Sequence, residues 1–170
     1  MHDPKQQPRA LTEFEQRWSL AALRDREIAS LPLCEVVVKE TLLVPTKASF
    51  LRLHTPRTLI AHIALAGRAS GITLGRKVFI LDELFGEDGS VPLQLVVHEV
   101  AHVVQYYRDG HLGFLTRYLA DYARNLANGL SDRDAYLAIP HEVEARHVDT
   151  FIEQQYWQSD ELRAAERVLF

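Results

Sequence analysis

Two histidines and a glutamate stand in the string His98-Glu99-Val100-Ala101-His102, inside an apolar run from Leu93 to Gln105. In a helix, residues four apart share a face, with Cβ atoms about 5–6 Å apart, so the two imidazoles could hold one zinc ion. Glu99 would then project toward the open side of the metal. Because burying these groups among Val and Leu is costly unless they are paired or metal-bound, the string indicates a metal site and hydrolytic chemistry.

A catalytic zinc site needs a further ligand, since the metal is commonly held by three protein groups with the fourth position left to water. The downstream candidates are His111, Glu142, Glu144, His147 and Asp149. On a helix, Glu142 and Glu144 point about 200° apart, so only one of them can face the ion. Helical periodicity alone does not choose between these two glutamates.

The composition is that of one soluble globular domain. The chain has 170 residues, of which 47% are hydrophobic and 25% charged, and its net charge is -4. With no basic stripe, nucleic acid is not an expected partner. Cys34 is the only cysteine, so no intrachain disulfide can form and the metal ligands must be nitrogen and oxygen. We expect a flexible polar arm over residues 1–10 and a single domain over residues 11–170.

The sequence also lacks the signals of export and membrane insertion. The first nine residues contain no apolar segment like that of a signal peptide. No run approaches the roughly 18 uninterrupted apolar residues that span a bilayer. A cytoplasmic protein that does not bind membranes is therefore predicted, with export by a route without a signal peptide left open.

The first half of the chain predicts two helices and two strands. Thr12 and Glu15 form a capping box, so a helix should follow and end near Pro32. The valine-rich segment 33–39 favours a strand, with Cys34 packed inside it, and the apolar segment 72–81 favours a second strand. A short helix is predicted over residues 57–66.

The second half predicts helices. The motif helix should begin near Pro92, run to about Tyr107 and be buried on nearly every side. A third helix is expected over residues 112–128, one turn over 131–136, and a long helix from Pro140, followed by a helical tail over 158–170. Together these elements predict an α+β fold that is mostly helical with a small β-sheet.

The motif resembles a known family. His98 to Gln105, with Ile72-Thr73-Leu74-Gly75-Arg76 before it and Pro140 to Ala145 after it, is similar to bacterial zincin-like metallopeptidase domains that carry an HELxHVVQ motif. These belong with the gluzincins, whose third zinc ligand is a glutamate on a later helix. The resemblance covers about residues 72–149. It implies a zincin-like fold, one zinc ion per chain and hydrolysis of peptide bonds.

The resemblance also suggests the third ligand. In the family pattern the ligand glutamate stands three residues before an alanine, which implies Glu142, with Glu144 as the alternative. The chain departs from a common gluzincin pattern in which an aspartate four residues later steadies the first histidine. That position is Arg146, which has no hydrogen-bond acceptor. Asp149 or Asp121 could take its place.

The mechanism expected from these residues is attack of a zinc-activated water on a peptide carbonyl. Glu99 would accept the proton of the water and pass it to the leaving amine. The candidate donors to the oxyanion are Tyr136, His141, Arg146 and His147. The strand over residues 72–81 could align a peptide or protein substrate through main-chain hydrogen bonds. The rival hypothesis is a non-catalytic zincin-like binding or assembly module with a protein partner.

Overall fold

The structure is a computed structural model that describes residues 7–47 and 70–165. In these residues the chain forms seven α-helices and a small four-stranded mixed sheet, in agreement with the predicted α+β class. The elements are β1 (Arg9–Ala10), α1 (Glu13–Asp25), α2 (Leu31–Glu40), β2 (Leu42–Thr46), β3 (Gly71–Leu74), β4 (Lys77–Leu81), a 3-10 turn (Asp82–Leu84), α3 (Leu93–Asp109), α4 (His111–Ala127), α5 (Asp132–Leu137), α6 (Pro140–Tyr156) and α7 (Asp160–Ala164).

The sheet has the order β1-β2-β4-β3, with β2 parallel to β4 and the other two pairs antiparallel. The prediction of one strand over residues 72–81 was wrong, because this segment is a hairpin of β3 and β4. Gly75 has a φ of +63°, which glycine adopts without steric cost, and it turns the chain between the two strands. As a result β3 lies at the end of the described sheet.

The strand predicted over residues 33–39 was also wrong, because the segment belongs to helix α2. Pro32 lies in its first turn, where the absent backbone N–H does no harm. Cys34, Val37 and Val38 are buried at helical spacing. Packing of this face against α1 and α3 outweighs the modest β preference of valine. Cys34 does lie in the core, as expected, although in a helix.

Helix α1 begins with the predicted capping box. The Thr12 hydroxyl accepts a hydrogen bond from the Glu15 N–H, and the Glu15 carboxylate accepts one from the Thr12 N–H. Of the arm expected over residues 1–10, residues 1–6 lie outside the described part of the chain. Its last two residues, Arg9 and Ala10, form β1 and pair with Leu43 and Leu42 of β2, so these two are part of the sheet.

The motif helix α3 runs through the centre of the molecule. Its valines pack against α6, in a core that includes Val97, Val100, Val104, Val148 and Ile152. Most of its residues are buried, as its apolar composition predicted. Helix α6 is the element that α3 contacts most extensively. This packing of α3 on α6 is what brings the two parts of the candidate site together.

Helix α1 ends at Asp25, well before the end near Pro32 that was predicted, because Pro32 belongs to the first turn of α2. The predicted helices of the second half fall closer to the observed elements. The turn predicted over 131–136 is α5, and only residues 160–164 of the predicted helical tail form a helix, α7. The short helix predicted over residues 57–66 and the last five residues of the tail lie outside the described residues. Within the described part of the chain, no helix combines the length and the apolar character needed to cross a bilayer.

Candidate metal centre

Helices α3 and α6 bring His98, His102 and Glu142 together. One ligand atom from each of the three residues lies within 4.8 Å of the other two. His98 Nε2 is 3.5 Å from one Glu142 oxygen, and His102 Nε2 is 3.2 Å from the other. Three ligand atoms of this kind at this spacing could hold one metal ion.

The alternative ligand Glu144 lies outside this cluster. Its carboxylate accepts hydrogen bonds from Arg108 at 2.9 and 3.0 Å and from the Gln105 amide at 2.6 Å. Glu142, by contrast, is 2% exposed and faces the two histidines. The other candidates from the sequence, His111, His147 and Asp149, are also outside the cluster.

Two tyrosines hold the Glu142 carboxylate. The Tyr118 hydroxyl donates to one oxygen at 2.6 Å and the Tyr136 hydroxyl to the other at 2.8 Å. Burial and the nearby Glu142 charge raise the pKa of both phenols well above the ordinary value, so they remain donors at neutral pH. The sequence analysis did not name Tyr118, although Phe114 and Tyr118 are the buried residues of this helix.

His98 is oriented by Asp149, one of the two aspartates that the sequence left open. Its Nδ1 lies 2.8 Å from the Asp149 carboxylate, two turns beyond Glu142 on the same side of α6. The other candidate, Asp121, pairs with Arg124 on the surface of α4. Arg146 donates to the main-chain carbonyl of Leu137.

His102 has a partner that the sequence analysis did not consider. Its Nδ1 lies 2.8 Å from the Oε1 atom of Gln105, which is fully buried. The signal was present in the sequence, since residues three apart on a helix are neighbours. With both Nδ1 atoms engaged, the two Nε2 atoms are the ones that face Glu142.

The charges within the cluster shift its pKa values. Burial by itself lowers the pKa of His98, but hydrogen bonds with Asp149 and Glu142 outweigh burial and raise that pKa to about 10. The pKa of His102 is also raised against the effect of burial, chiefly by the charge of Glu142 and its hydrogen bond. Burial raises the pKa of Glu142, but the two histidines hold it well below its ordinary range.

Glu99 lies beside the cluster and is 5% exposed. Its Oε2 atom accepts a hydrogen bond of 2.7 Å from the Thr73 hydroxyl of β3. Gly71, on the same strand, lets the carboxylate lie close, since a Cβ at this position would be 2.9 Å from Glu99 Oε1. Sequence reasoning found Glu99 but neither of these contacts, which join residues far apart in the chain.

A small cavity of about 40 Å³ joins Glu99 to the cluster. Its walls include His102, Glu142, Phe114, Tyr118 and Tyr136. Of the four expected oxyanion donors, Tyr136 lines this cavity. His141 is paired with Asp109 at 2.9 Å, Arg146 is bonded to Leu137, and His147 is exposed.

One family model matches part of the chain. The model described as the eCIS core domain matches residues 45–110, a segment that includes β3, β4 and the motif helix α3. This segment of the chain is similar to eCIS core domains. The match ends before α6 and therefore does not reach Glu142. No curated protein and no solved structure matches the chain.

Proposed function

We propose that this chain is a zinc-dependent metallopeptidase of zincin-like fold that hydrolyses peptide bonds. The observation that carries the proposal is the convergence of His98, His102 and Glu142 beside the carboxylate of Glu99. Three metal-ligating groups, of which His102 and Glu142 are buried and His98 is half-buried, together with a separate acid beside them are what a metal-assisted hydrolase requires. The helical motif and the later glutamate were both expected from the resemblance to gluzincins.

The spacing of the three candidate ligands supports zinc as the ion. Tetrahedral zinc holds nitrogen and oxygen ligands at about 2.0–2.2 Å, so neighbouring ligand atoms lie roughly 3.4 Å apart. The distances of 3.5 and 3.2 Å from the histidine nitrogens to Glu142 agree with this value. Acceptors at Nδ1 of both rings favour the tautomer whose Nε2 lone pair is free to bind a metal. The residues present therefore fit one zinc ion per chain.

Glu99 is the general base in the proposed mechanism. A zinc ion bound by the three residues would supply a water whose pKa is lowered to about 7. Glu99 accepts the proton of the attacking water and then donates it to the leaving amine. Because Thr73 occupies Oε2, Oε1 is the atom left to take the proton. The Tyr136 hydroxyl, now bonded to Glu142, is the best placed of the expected donors for the oxyanion.

A peptide is the substrate that the surroundings favour. Strand β3 pairs with β4 on one side and has no strand on its other side among the described residues. Its main chain could therefore bind an extended peptide by strand addition. Since Thr73 and Gly71 of this strand contact Glu99, a peptide bound there would lie next to the general base.

Metal analysis and a peptidase assay on the full-length chain test the proposal. We expect about one zinc ion per wild-type chain and loss of this zinc in His98→Ala. Glu99→Gln should keep the zinc and lower the cleavage of unfolded casein by about 10²–10⁴-fold, since it removes the general base. Glu35→Gln is the matched control, because Glu35 is exposed on α2 and its loss should change neither property. A zinc-free wild type, or an active Glu99→Gln variant, would contradict the proposal.

One observation favours the alternative, a non-catalytic binding or assembly module. Both Glu142 oxygens already accept tyrosine hydroxyls, and with protonated histidines the cluster is a complete ion-pair network. Such a network could stabilise the fold with no metal. A wild-type chain that is inactive on a broad peptide library, and whose thermal stability does not change when zinc is added, would favour this alternative.

A further inference from the structure

Gln105 is a fully buried polar residue that contacts both ligand-bearing helices. It lies on α3, three residues after His102, and its amide reaches α6 at two points. A buried amide is costly unless its donors and acceptor are paired. Its hydrogen-bond partners lie at or beside the proposed metal ligands, so its placement bears directly on the site.

The surroundings of the amide determine its orientation. The amide nitrogen lies 3.0 Å from the main-chain oxygen of His141 and 2.6 Å from a carboxylate oxygen of Glu144. Both partners are acceptors, so they require the NH2 end. The amide oxygen must then face His102, whose Nδ1 is 2.8 Å away. An acceptor at this position requires His102 to carry a proton on Nδ1, which leaves Nε2 to face Glu142.

Arg108 holds Glu144 in this arrangement. Its guanidinium donates to both Glu144 oxygens at 2.9 and 3.0 Å. The ion pair holds the Glu144 carboxylate in place as an acceptor for the Gln105 amide. A chain of contacts thus runs from Arg108 through Glu144 and Gln105 to His102.

We propose that Gln105 is a positioning residue that selects which nitrogen of His102 faces the metal, and that Glu144 fixes the orientation of the Gln105 amide. This inference rests on the proposed zinc site. It gives Glu144 a role other than that of a ligand. It also means that the two histidines are oriented by different groups. A carboxylate, that of Asp149, contacts His98, whereas a neutral amide, that of Gln105, contacts His102.

The test compares two buried glutamines of the same helix. Gln105→Met removes the amide from His102, whereas Gln94→Met removes the amide that donates to Glu153 of α6 at 2.6 Å. Both substitutions break a hydrogen bond between α3 and a glutamate of α6, but only the first touches a histidine. Zinc affinity, measured by competition with a chromophoric chelator, should fall about 10–100-fold in Gln105→Met and stay unchanged in Gln94→Met. Thermal unfolding of the metal-free proteins reports the structural cost of each change.

A Glu144 variant and the tautomer of His102 separate positioning from packing. Glu144→Leu removes one of the two acceptors that orient the Gln105 amide and replaces no proposed metal ligand, so it should weaken zinc binding, by less than Gln105→Met does. In the zinc-loaded wild type, nitrogen-15 NMR should show the His102 proton on Nδ1. Equal zinc affinities for Gln105→Met and Gln94→Met, or a wild-type zinc affinity in Glu144→Leu, would overturn the inference. Failure of the wild type itself to bind zinc would overturn the proposed function, and this inference with it.

Discussion

At the scale of single residues, the two tyrosines on Glu142 decide how its carboxylate is presented. Tyr118 holds the oxygen nearer to His102, and Tyr136 holds the oxygen nearer to His98. Each hydroxyl makes a hydrogen bond to a buried charged group, and such bonds are stronger than neutral ones. The pair of tyrosines therefore orders the third candidate ligand before any metal arrives.

Replacing Tyr118 by phenylalanine tests this arrangement. We expect Tyr118→Phe to lower the free energy of unfolding by about 1–3 kcal/mol, because one oxygen of a buried carboxylate loses its donor. Urea denaturation of the metal-free chain measures the change. Tyr122→Phe is the matched control on the same helix, since the Tyr122 hydroxyl bonds Asp132 at the surface and should matter little. Equal losses of stability in the two variants would show that the hydrogen bond from Tyr118 to Glu142 contributes no more than the hydrogen bond of Tyr122 at the surface.

At the scale of elements, the contact between β3 and α3 sets the position of Glu99, the proposed general base. Gly71 and Thr73 are two residues apart on β3 and so point to the same face of the sheet. The Thr73 hydroxyl holds one Glu99 oxygen, and the missing side chain of Gly71 leaves room for the other. A four-residue strand therefore determines where the carboxylate of the motif helix can lie.

A methyl group at position 71 should displace Glu99. In Gly71→Ala the new Cβ would lie 2.9 Å from Oε1 and 3.1 Å from Cδ of Glu99, closer than these atoms can approach. We expect peptidase activity to fall by at least about tenfold, because misplacing a catalytic group by about 1 Å can cost 10²-fold. Zinc content should be unchanged, since none of the three ligands is touched.

The control for this variant is Gly113→Ala on helix α4. A Cβ at Gly113 would meet no atom within 4 Å, and alanine suits a helix better than glycine by roughly 0.5–1 kcal/mol. Activity should therefore be retained and stability slightly increased. Full activity in Gly71→Ala would show that Glu99 tolerates displacement, contrary to its proposed role.

At the scale of the whole molecule, α3, α4 and α6 meet around a buried acid at the end of the motif helix. Asp109 accepts hydrogen bonds from Arg108 at 2.9 Å and pairs with His141 of α6 at 2.9 Å. The chain then turns through Gly110, which has a φ of +73°, directly into α4. This junction places the Phe114 and Tyr118 wall of the cavity beside the cluster of His98, His102 and Glu142.

Because of Asp109, the free energy of unfolding should depend on pH in the acidic range. The hydrogen bond of Arg108 lowers the pKa of Asp109 to about 2, although burial opposes it, and His141 lowers it further. Because the folded-state pKa lies below the ordinary 3.8, the carboxylate contributes stability above about pH 4, and this contribution is lost as the pH falls through 2.

Urea unfolding of Asp109→Asn at several pH values measures this contribution. We expect the variant to be less stable than the wild type by about 1 kcal/mol at pH 7, with the difference shrinking as the pH approaches 2. Asp160→Asn is a suitable control, because the Asp160 side chain is 97% exposed and its variant should follow the wild type throughout. A difference between Asp109→Asn and wild type that is constant with pH would contradict the assignment.

The sequence by itself determined the features that depend on local spacing. The i,i+4 pair His98 and His102, the capping box at Thr12 and the start of α6 at Pro140 all follow from contacts within one or two helical turns. Such contacts are present in any helix with this sequence, whatever it packs against. This is why the motif helix and its two histidines could be predicted from the residues alone.

Only the tertiary structure decided the features that depend on packing between distant segments. Segment 31–40 is apolar enough for a strand or a helix, and burial of Cys34, Val37 and Val38 among other helices selects the helix. Glu142 and Glu144 lie on different faces of α6, and the face that packs on α3 selects Glu142. Thr73 and Tyr118 reach the site over 26 and 24 residues of sequence. Local periodicity carries no information about such distant contacts, because they form only when the helices and the sheet pack together.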